Sequence, residues 1–313
     1  MKLNFTDLTS NPWLNVPKRW ISACGRLSVG GIPYIWLLVF FLVPFGFVLK
    51  ISLAESLIAR PPYSNLFNWG EDGLLSIDLN FGNYLFLLED RLYYLAYFNS
   101  IKIAFISTLI CLIIGYPMAY VIANAPRRRQ TVMLILVILP FWTSFLLRVY
   151  AWMGLLKNNG LINSALIYLG IIDDPIVMMR TDFAVYLGIV YSYLPFMILP
   201  LYTSLEKING VLLEAASDLG SNPFWAFIRV TLPLSLPGIF AGSLVTFIPI
   251  VGEFVIPALL GGPDTLMIGS VLWGEFFGNR DWPIASAVSM VMLMLLVVPI
   301  MLLRYFQNQE LRR

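Results

Sequence analysis

The sequence predicts an all-α membrane protein with six transmembrane helices. Three observations predict it. Of the 313 residues, 59% are apolar and 12% charged. Mean hydropathy is +0.79. Apolar runs long enough to cross a bilayer recur along the chain. A soluble domain carries about a quarter charged residues, and a hydrocarbon core of about 30 Å needs roughly 20 apolar residues per helix.

Six segments qualify: 32–51, 101–123, 132–156, 184–202, 238–260 and 285–305. The first begins too late and runs too long for a cleaved signal peptide, and no small-residue cleavage site follows it. The third contains Arg148, which blurs its outer end.

Lysine and arginine set the orientation. The tail before the first span carries Lys2, Lys18, Arg19 and Arg26. The link after the second span carries Arg127, Arg128 and Arg129, the link after the fourth carries Lys207 and Arg229, and the C-terminus carries Arg304, Arg312 and Arg313. Six crossings put all twelve on one side, which is the cytoplasm, with both termini inside. The opposite loops, 52–100, 157–183 and 261–284, hold twelve acids against five bases, a net charge near −7. A negative mouth concentrates cations and repels anions. The exclusion of Lys and Arg from translocated loops accounts for part of the same imbalance.

Composition also excludes chemistry. There is no histidine, and the two cysteines are Cys24 and Cys111, the latter inside an apolar run. Neither a disulfide framework nor a Cys/His metal site is expected. No Gly-x-x-x-x-Gly-Lys-Ser/Thr phosphate loop occurs, so a nucleotide must be hydrolysed elsewhere. In the outer loops, 77–81 alternates like a short strand, 85–88 reads as a helical turn, and 161–172 is apolar but too short to span. The link 261–284, with Asp264, Glu275, Arg280 and Asp281, reads as a solvated or docking loop.

The most informative stretch is 206–235, polar and helix-forming between two apolar spans. Asn209 is placed to cap a helix from Gly210. Leu212, Leu213, Ala216 and Leu219 recur at helical spacing. Gly220 fits a left-handed helix end. Asn222-Pro223 reads as a cap followed by proline at the first position of a second helix, with an apolar face of Phe224, Phe227 and Ile228. Pro233 and Pro237 are expected to break the chain before the fifth span. Such a lobe suits a helix-in-groove contact: Ala215 and Ala216 allow close approach, and Glu214 offers a charged contact.

Glu214-Ala215-Ala216, Gly220 six residues after Glu214, and Leu232-Pro233 at +18 and +19 resemble the EAA loop of bacterial ABC importer permeases. The likeness covers about 30–305. It includes 33–37, 50–55, 139–140, 148–154, 156–160, 251–257, 259–264 and 279–283, stretches similar to permeases of spermidine/putrescine-type importers, and to those for putrescine in particular. The resemblance implies the MetI-like permease architecture: a cytoplasmic tail at 1–28, a membrane domain at 29–305 and a cytoplasmic tail at 306–313. It implies that Glu214, Ala215, Ala216, Asp218, Gly220, Leu232 and Pro233 couple the chain to an ATPase. The expected partners are a second, similar permease, a dimer of ATP-binding subunits, a periplasmic polyamine-binding protein and the inner-membrane lipid, with no nucleic acid. No cofactor is expected on this chain; ATP is used by the partner.

Within the spans, Glu253 stands out, because a carboxylate at that depth costs a few kcal/mol unless partnered and such residues mark pathways. A di-ammonium substrate would pair with it, and aromatic faces bind ammonium groups. The alternatives are a pair with Arg148 or with backbone N–H groups near Pro257. Trp142, Tyr191 and Tyr193 are candidate pathway aromatics, packing being the plainer reading. Arg148 is expected to snorkel outward or to neutralise Glu253 or Glu275.

The expected function is a permease moving polyamine, putrescine ahead of spermidine. A permease for another cation keeps the same lobe. An iron, thiamine or oxyanion importer is a further possibility, and the acidic outer face disfavours an anion. A secondary transporter needs no such lobe and more often shows paired repeats. A membrane enzyme lacks any nucleophile–base constellation here.

Overall fold

A computed structural model describes residues 31–69, 75–263 and 265–310. The expected N-terminal tail, Asp264 and the last three residues of the C-terminal tail lie outside the described residues. The protein is a helical bundle with one small hairpin. Among the described residues, four helices are long and apolar enough to cross a membrane, and one sharply bent pair would make a fifth.

Helix α1 (Gly31–Ser52) is apolar along its length and turns almost all of its surface outward. Its C-terminal end is tied to the outer loop. Asn83 donates to the carbonyls of Ser52 and Ala54, both at 2.9 Å, and the Ser52 and Tyr84 hydroxyls meet at 2.7 Å. Within that loop β1 (Phe67–Trp69) pairs antiparallel with β2 (Leu75–Ile77). The strand expected at 77–81 therefore lies earlier. Asn80 accepts the Gly82 N–H at 2.7 Å, an Asx turn that ends the extended chain and starts α2 (Gly82–Glu89).

Helix α3 (Arg91–Asn124) starts ten residues before the expected span. Asp90 caps it, accepting the Leu92 N–H at 2.8 Å. Its 34 residues rise about 51 Å, well beyond a hydrocarbon core.

The third expected span is not one helix. Helix α4 (Arg127–Ile138) tightens into a 3-10 turn at Leu139–Trp142, and the chain then bends by 87° into α5 (Phe145–Leu156). Pro140 lacks a donor and its ring crowds the preceding turn. Thr143 is extended and returns its hydroxyl to the Pro140 carbonyl at 2.8 Å. The arm before the bend rises about 26 Å, a little less than the thickness of a hydrocarbon core. Helix α6 (Leu161–Tyr168) follows, held to the next loop by Asn163, which exchanges two hydrogen bonds with the Ile176 backbone.

Helix α7 (Asp182–Leu205) is the central element, packed on both α3 and the fifth span. Helix α8 (Gly210–Asp218) lies in the polar lobe. Helix α9 (Pro223–Val251) then runs unbroken through both expected breakers, Pro233 and Pro237. A π turn at Phe227–Thr231 widens the helix just ahead of Pro233, where the ring would otherwise crowd a carbonyl.

The fifth span ends early. Past Val251 the chain breaks at 252–254 and resumes as the short α10 (Val255–Leu260). The link expected to be a solvated or docking loop dips back into the bundle in part, as α11 (Ile268–Trp273), so that stretch is not solvated. Met267 and Ile268 are fully buried, and the Ser100 hydroxyl accepts the Ile268 N–H at 2.7 Å. A Cβ on Gly269 would stand 2.4 Å from the Gly252 carbonyl oxygen, so α11 rests directly on the break in the fifth span. The last helix, α12 (Trp282–Glu310), has a described apolar stretch at Trp282–Val297 and packs along α1.

Two buried clusters result. One, around Val185, Ile189, Ile250, Ile256 and Ile268, gathers the short helices. The other, around Cys111, Ala119, Met197 and Leu201, joins α3 and α7.

Candidate functional site

Two places combine polar chemistry with exposed surface: the lobe at 206–235 and the region where two spans break.

In the lobe, Asn209 accepts the Val211 N–H at 3.1 Å and starts α8. Gly220 has φ +80°, and two bonds close the helix end: Gly220 N–H to Ser217 at 2.9 Å and Ser221 N–H to Ala216 at 3.0 Å. Asn222 then accepts the Trp225 N–H at 2.9 Å, with Pro223 at the first helical position. The geometry is a helix, a reversal and a second helix.

The apolar residues divide into two sets. Leu213 and Ala216 are half-buried, and Phe227 turns inward, its ring edge-on to Tyr116 at 5.7 Å and Tyr120 at 6.0 Å. Leu212, Leu219, Phe224 and Trp225 are exposed, Leu219 at 89%. The single apolar face expected of α8 is thus split. Glu214, Ala215 and Asp218 are exposed on the same helix. A cavity of about 410 Å³ opens at the reversal between Ala216, Gly220 and Trp225, with Arg229 stacked over the Trp225 ring at 4.8 Å. Leu232 is half-buried and Pro233 exposed at the base of α9.

The second place centres on Glu253, which is buried at 7% exposure in the break between α9 and α10. One carboxylate oxygen, Oε1, accepts the N–H groups of Phe254 (3.1 Å), Val255 (2.9 Å) and Ile256 (3.3 Å), satisfying the start of α10. The other, Oε2, accepts the Tyr193 hydroxyl at 2.5 Å. Of the two in-chain partners weighed from the sequence, the backbone N–H groups are found and Arg148 is not.

Arg148 instead lies over Phe141 at 4.8 Å and Phe145 at 5.7 Å. Its Nε and Nη1 are buried with no hydrogen-bond partner among the described residues. Neither does it meet Glu275, which accepts the Tyr93 hydroxyl at 2.9 Å and the Asn279 amide at 2.9 Å.

A chain of rings joins the two breaks. Phe141, at the bend of the third span, meets Phe196 edge-on at 5.3 Å, and Phe196 lies 6.0 Å from Tyr193. Tyr193 reaches Glu253. Sequence reasoning missed Phe196 because a phenylalanine in an apolar span carries no signal of its own. Of the other expected aromatics, Tyr191 packs edge-on to Trp152 at 5.4 Å, and Trp142 is 79% exposed at the bend, apart from this chain of contacts.

The described residues form a helical bundle of interrupted apolar spans with a polar helical lobe, an architecture that suits a membrane transport subunit. Residues 112–312 match the family described as binding-protein-dependent transport system inner membrane component, and the chain belongs to that family. It is an inner-membrane permease of an ABC importer.

Among its relatives, the spermidine/putrescine transport system permease protein PotB of Haemophilus influenzae is 40% identical over 290 residues, covering 90% of this chain and 93% of that one. The protein of the same name from Escherichia coli K12 is 41% identical over 253 residues, 79% of this chain and 91% of that one. Among solved structures, a bacterial ABC transporter involved in import of the acidic polysaccharide alginate superposes with a TM-score of 0.68. The overlap covers 95% of this chain and 98% of that one at 16% identity, a likeness of fold alone.

Proposed function

We propose that this permease serves an ATP-driven importer of polyamines, moving putrescine, with spermidine as the second substrate, from periplasm to cytoplasm. The observation that carries the substrate class is the 40% identity along 90% of the chain to a spermidine/putrescine permease. The acidic outer loops, near −7 in net charge, support a cationic cargo.

In this reading the chain crosses the membrane six times with both termini in the cytoplasm. The bent third segment and the end helix provide the crossings beyond the four long helices. The lobe faces the cytoplasm and enters a groove of an ATP-binding subunit, with Glu214, Ala215, Ala216, Asp218, Gly220, Leu232 and Pro233 forming and bracing the contact. The exposed Leu219, Phe224 and Trp225 offer that subunit an apolar surface, as a docked helix requires. ATP is hydrolysed by a dimer of those subunits, and this chain holds no cofactor. A second, similar permease completes the passage, and a periplasmic polyamine-binding protein delivers the cargo. Glu253, Tyr193, Tyr191 and Trp142 line the route.

The test is ATP hydrolysis by the reconstituted complex. Binding protein loaded with putrescine or spermidine stimulates hydrolysis severalfold over unloaded binding protein. Stimulation by another cation and by neither polyamine would reject the substrate class while keeping the importer.

A further inference from the structure

The two oxygens of Glu253 are held differently. Oε1 is saturated by three backbone N–H groups and fixes the start of α10. Oε2 has a single side-chain donor, the Tyr193 hydroxyl, which comes from another helix. Only the second contact can be exchanged without unravelling α10.

The donor sits where its helix yields most readily. Tyr193 is two residues before Pro195 and seven before Pro200, and each proline removes one bond from the ladder of α7. Its ring leads through Phe196 to Phe141, at the 87° bend of the third span. Glu253 leads through the Gly252–Gly269 contact to α11. The Tyr193–Glu253 bond therefore ties the bend in one span to the break in another.

We propose that this bond is a latch that the cargo exchanges: a substrate ammonium group takes the place of the Tyr193 hydroxyl on Oε2. The exchange leaves α10 capped and frees the Tyr193 side chain of α7 from the break in the fifth span. It balances charge, because a cation replaces a neutral donor on a carboxylate buried away from water, and charge-assisted bonds are the stronger kind. Tyr193 is thus a positioning residue that competes with substrate, and Glu253 a contact that substrate reaches only when the latch opens. The inference rests on the polyamine reading for the identity of the cargo.

The test uses the whole transporter in proteoliposomes, with assembled complex quantified for each variant. Tyr193→Phe keeps the ring and removes the competing donor. The Michaelis constant for putrescine is expected to fall about fivefold, and substrate-free ATP hydrolysis to rise. Glu253→Gln is expected to raise that constant at least about tenfold. In the Glu253→Gln background, Tyr193→Phe adds nothing to either quantity. A merely structural bond predicts the reverse: Tyr193→Phe raises the constant or lowers assembly.

A Michaelis constant unchanged or raised in well-assembled Tyr193→Phe overturns the latch. If the wild-type complex moves no polyamine, the substrate reading fails, and the latch is still judged by substrate-free hydrolysis. An increase in Tyr193→Phe that is not added to the rate of Glu253→Gln in the double variant supports it, and no increase overturns it.

Discussion

Gly220→Ala probes the lobe with a cost that the geometry isolates. The residue has φ +80°, and a Cβ built there meets nothing within 4 Å. No clash contributes, so the cost is backbone strain alone, about 1–2 kcal/mol for an L-residue held left-handed. That is roughly a 5- to 30-fold shift in the population of the reversed helix end. The two bonds closing α8, from Gly220 N–H to Ser217 and from Ser221 N–H to Ala216, are those the shift would break. Asparagine tolerates this conformation better than alanine, so Gly220→Asn restores much of the loss. The assay is stimulation of ATP hydrolysis by loaded binding protein, together with co-purification of the ATP-binding subunit. Stimulation is expected to fall about fivefold or more in the alanine variant and to recover partly in the asparagine variant, with membrane insertion unchanged. Wild-type coupling in both variants would refute the assignment of this reversal to ATPase docking.

Three further outcomes are expected. Glu214→Ala lowers coupling and uptake together without reducing the amount of inserted chain, read by immunoblot beside transport; normal uptake removes Glu214 from the contact. Asn209→Ala removes the cap of α8 and costs about 1 kcal/mol of local stability, read as faster backbone hydrogen exchange over 210–218; unchanged exchange would mean that the cap contributes nothing. Gly238→Ala places a Cβ 2.4 Å from the Ser204 Cβ and 3.0 Å from the Pro200 carbonyl, forcing α7 and α9 apart. Overpacking of that kind costs about 1–3 kcal/mol and lowers the midpoint of thermal unfolding in detergent; an unshifted midpoint would show that the helices separate freely.

What the sequence disclosed was local. Asn209, Gly220 and Asn222-Pro223 act on backbone within three residues of themselves, so residue type alone marks where α8 and α9 start and where α8 ends. The spans were legible as apolar mass but not as shape. Pro140 and Thr143 bend the third by 87° inside a segment apolar enough on average to read as one span, and a hydropathy window is blind to direction. Pro233 and Pro237 misled for the opposite reason: a π turn upstream absorbs what a proline would otherwise break. The end of the fifth span at Val251 was hidden because α10 and α11 are as apolar as a span, buried in the protein rather than crossing lipid.

Glu253 was legible as a buried charge, since a carboxylate among aliphatic neighbours needs a partner. Which partner could not be read, because Tyr193 lies 60 residues away on another helix. The approach of α7 to α9 at Gly238 and Gly242 does leave a trace, small residues four apart on an apolar helix. In the interrupted bundle, close packing and the Tyr193–Glu253 bond hold α7 against the fifth span and its break.

The central claim, a polyamine permease driven by a partner ATPase, is tested most directly by uptake of labelled putrescine, with spermidine as competitor. The cells carry or lack this gene beside its partner subunits and have no other polyamine importer. The account predicts uptake lost on deletion, restored by the wild-type gene and not restored by the Gly220→Ala gene, with spermidine competing. Putrescine uptake that persists unchanged in the deleted cells would contradict it.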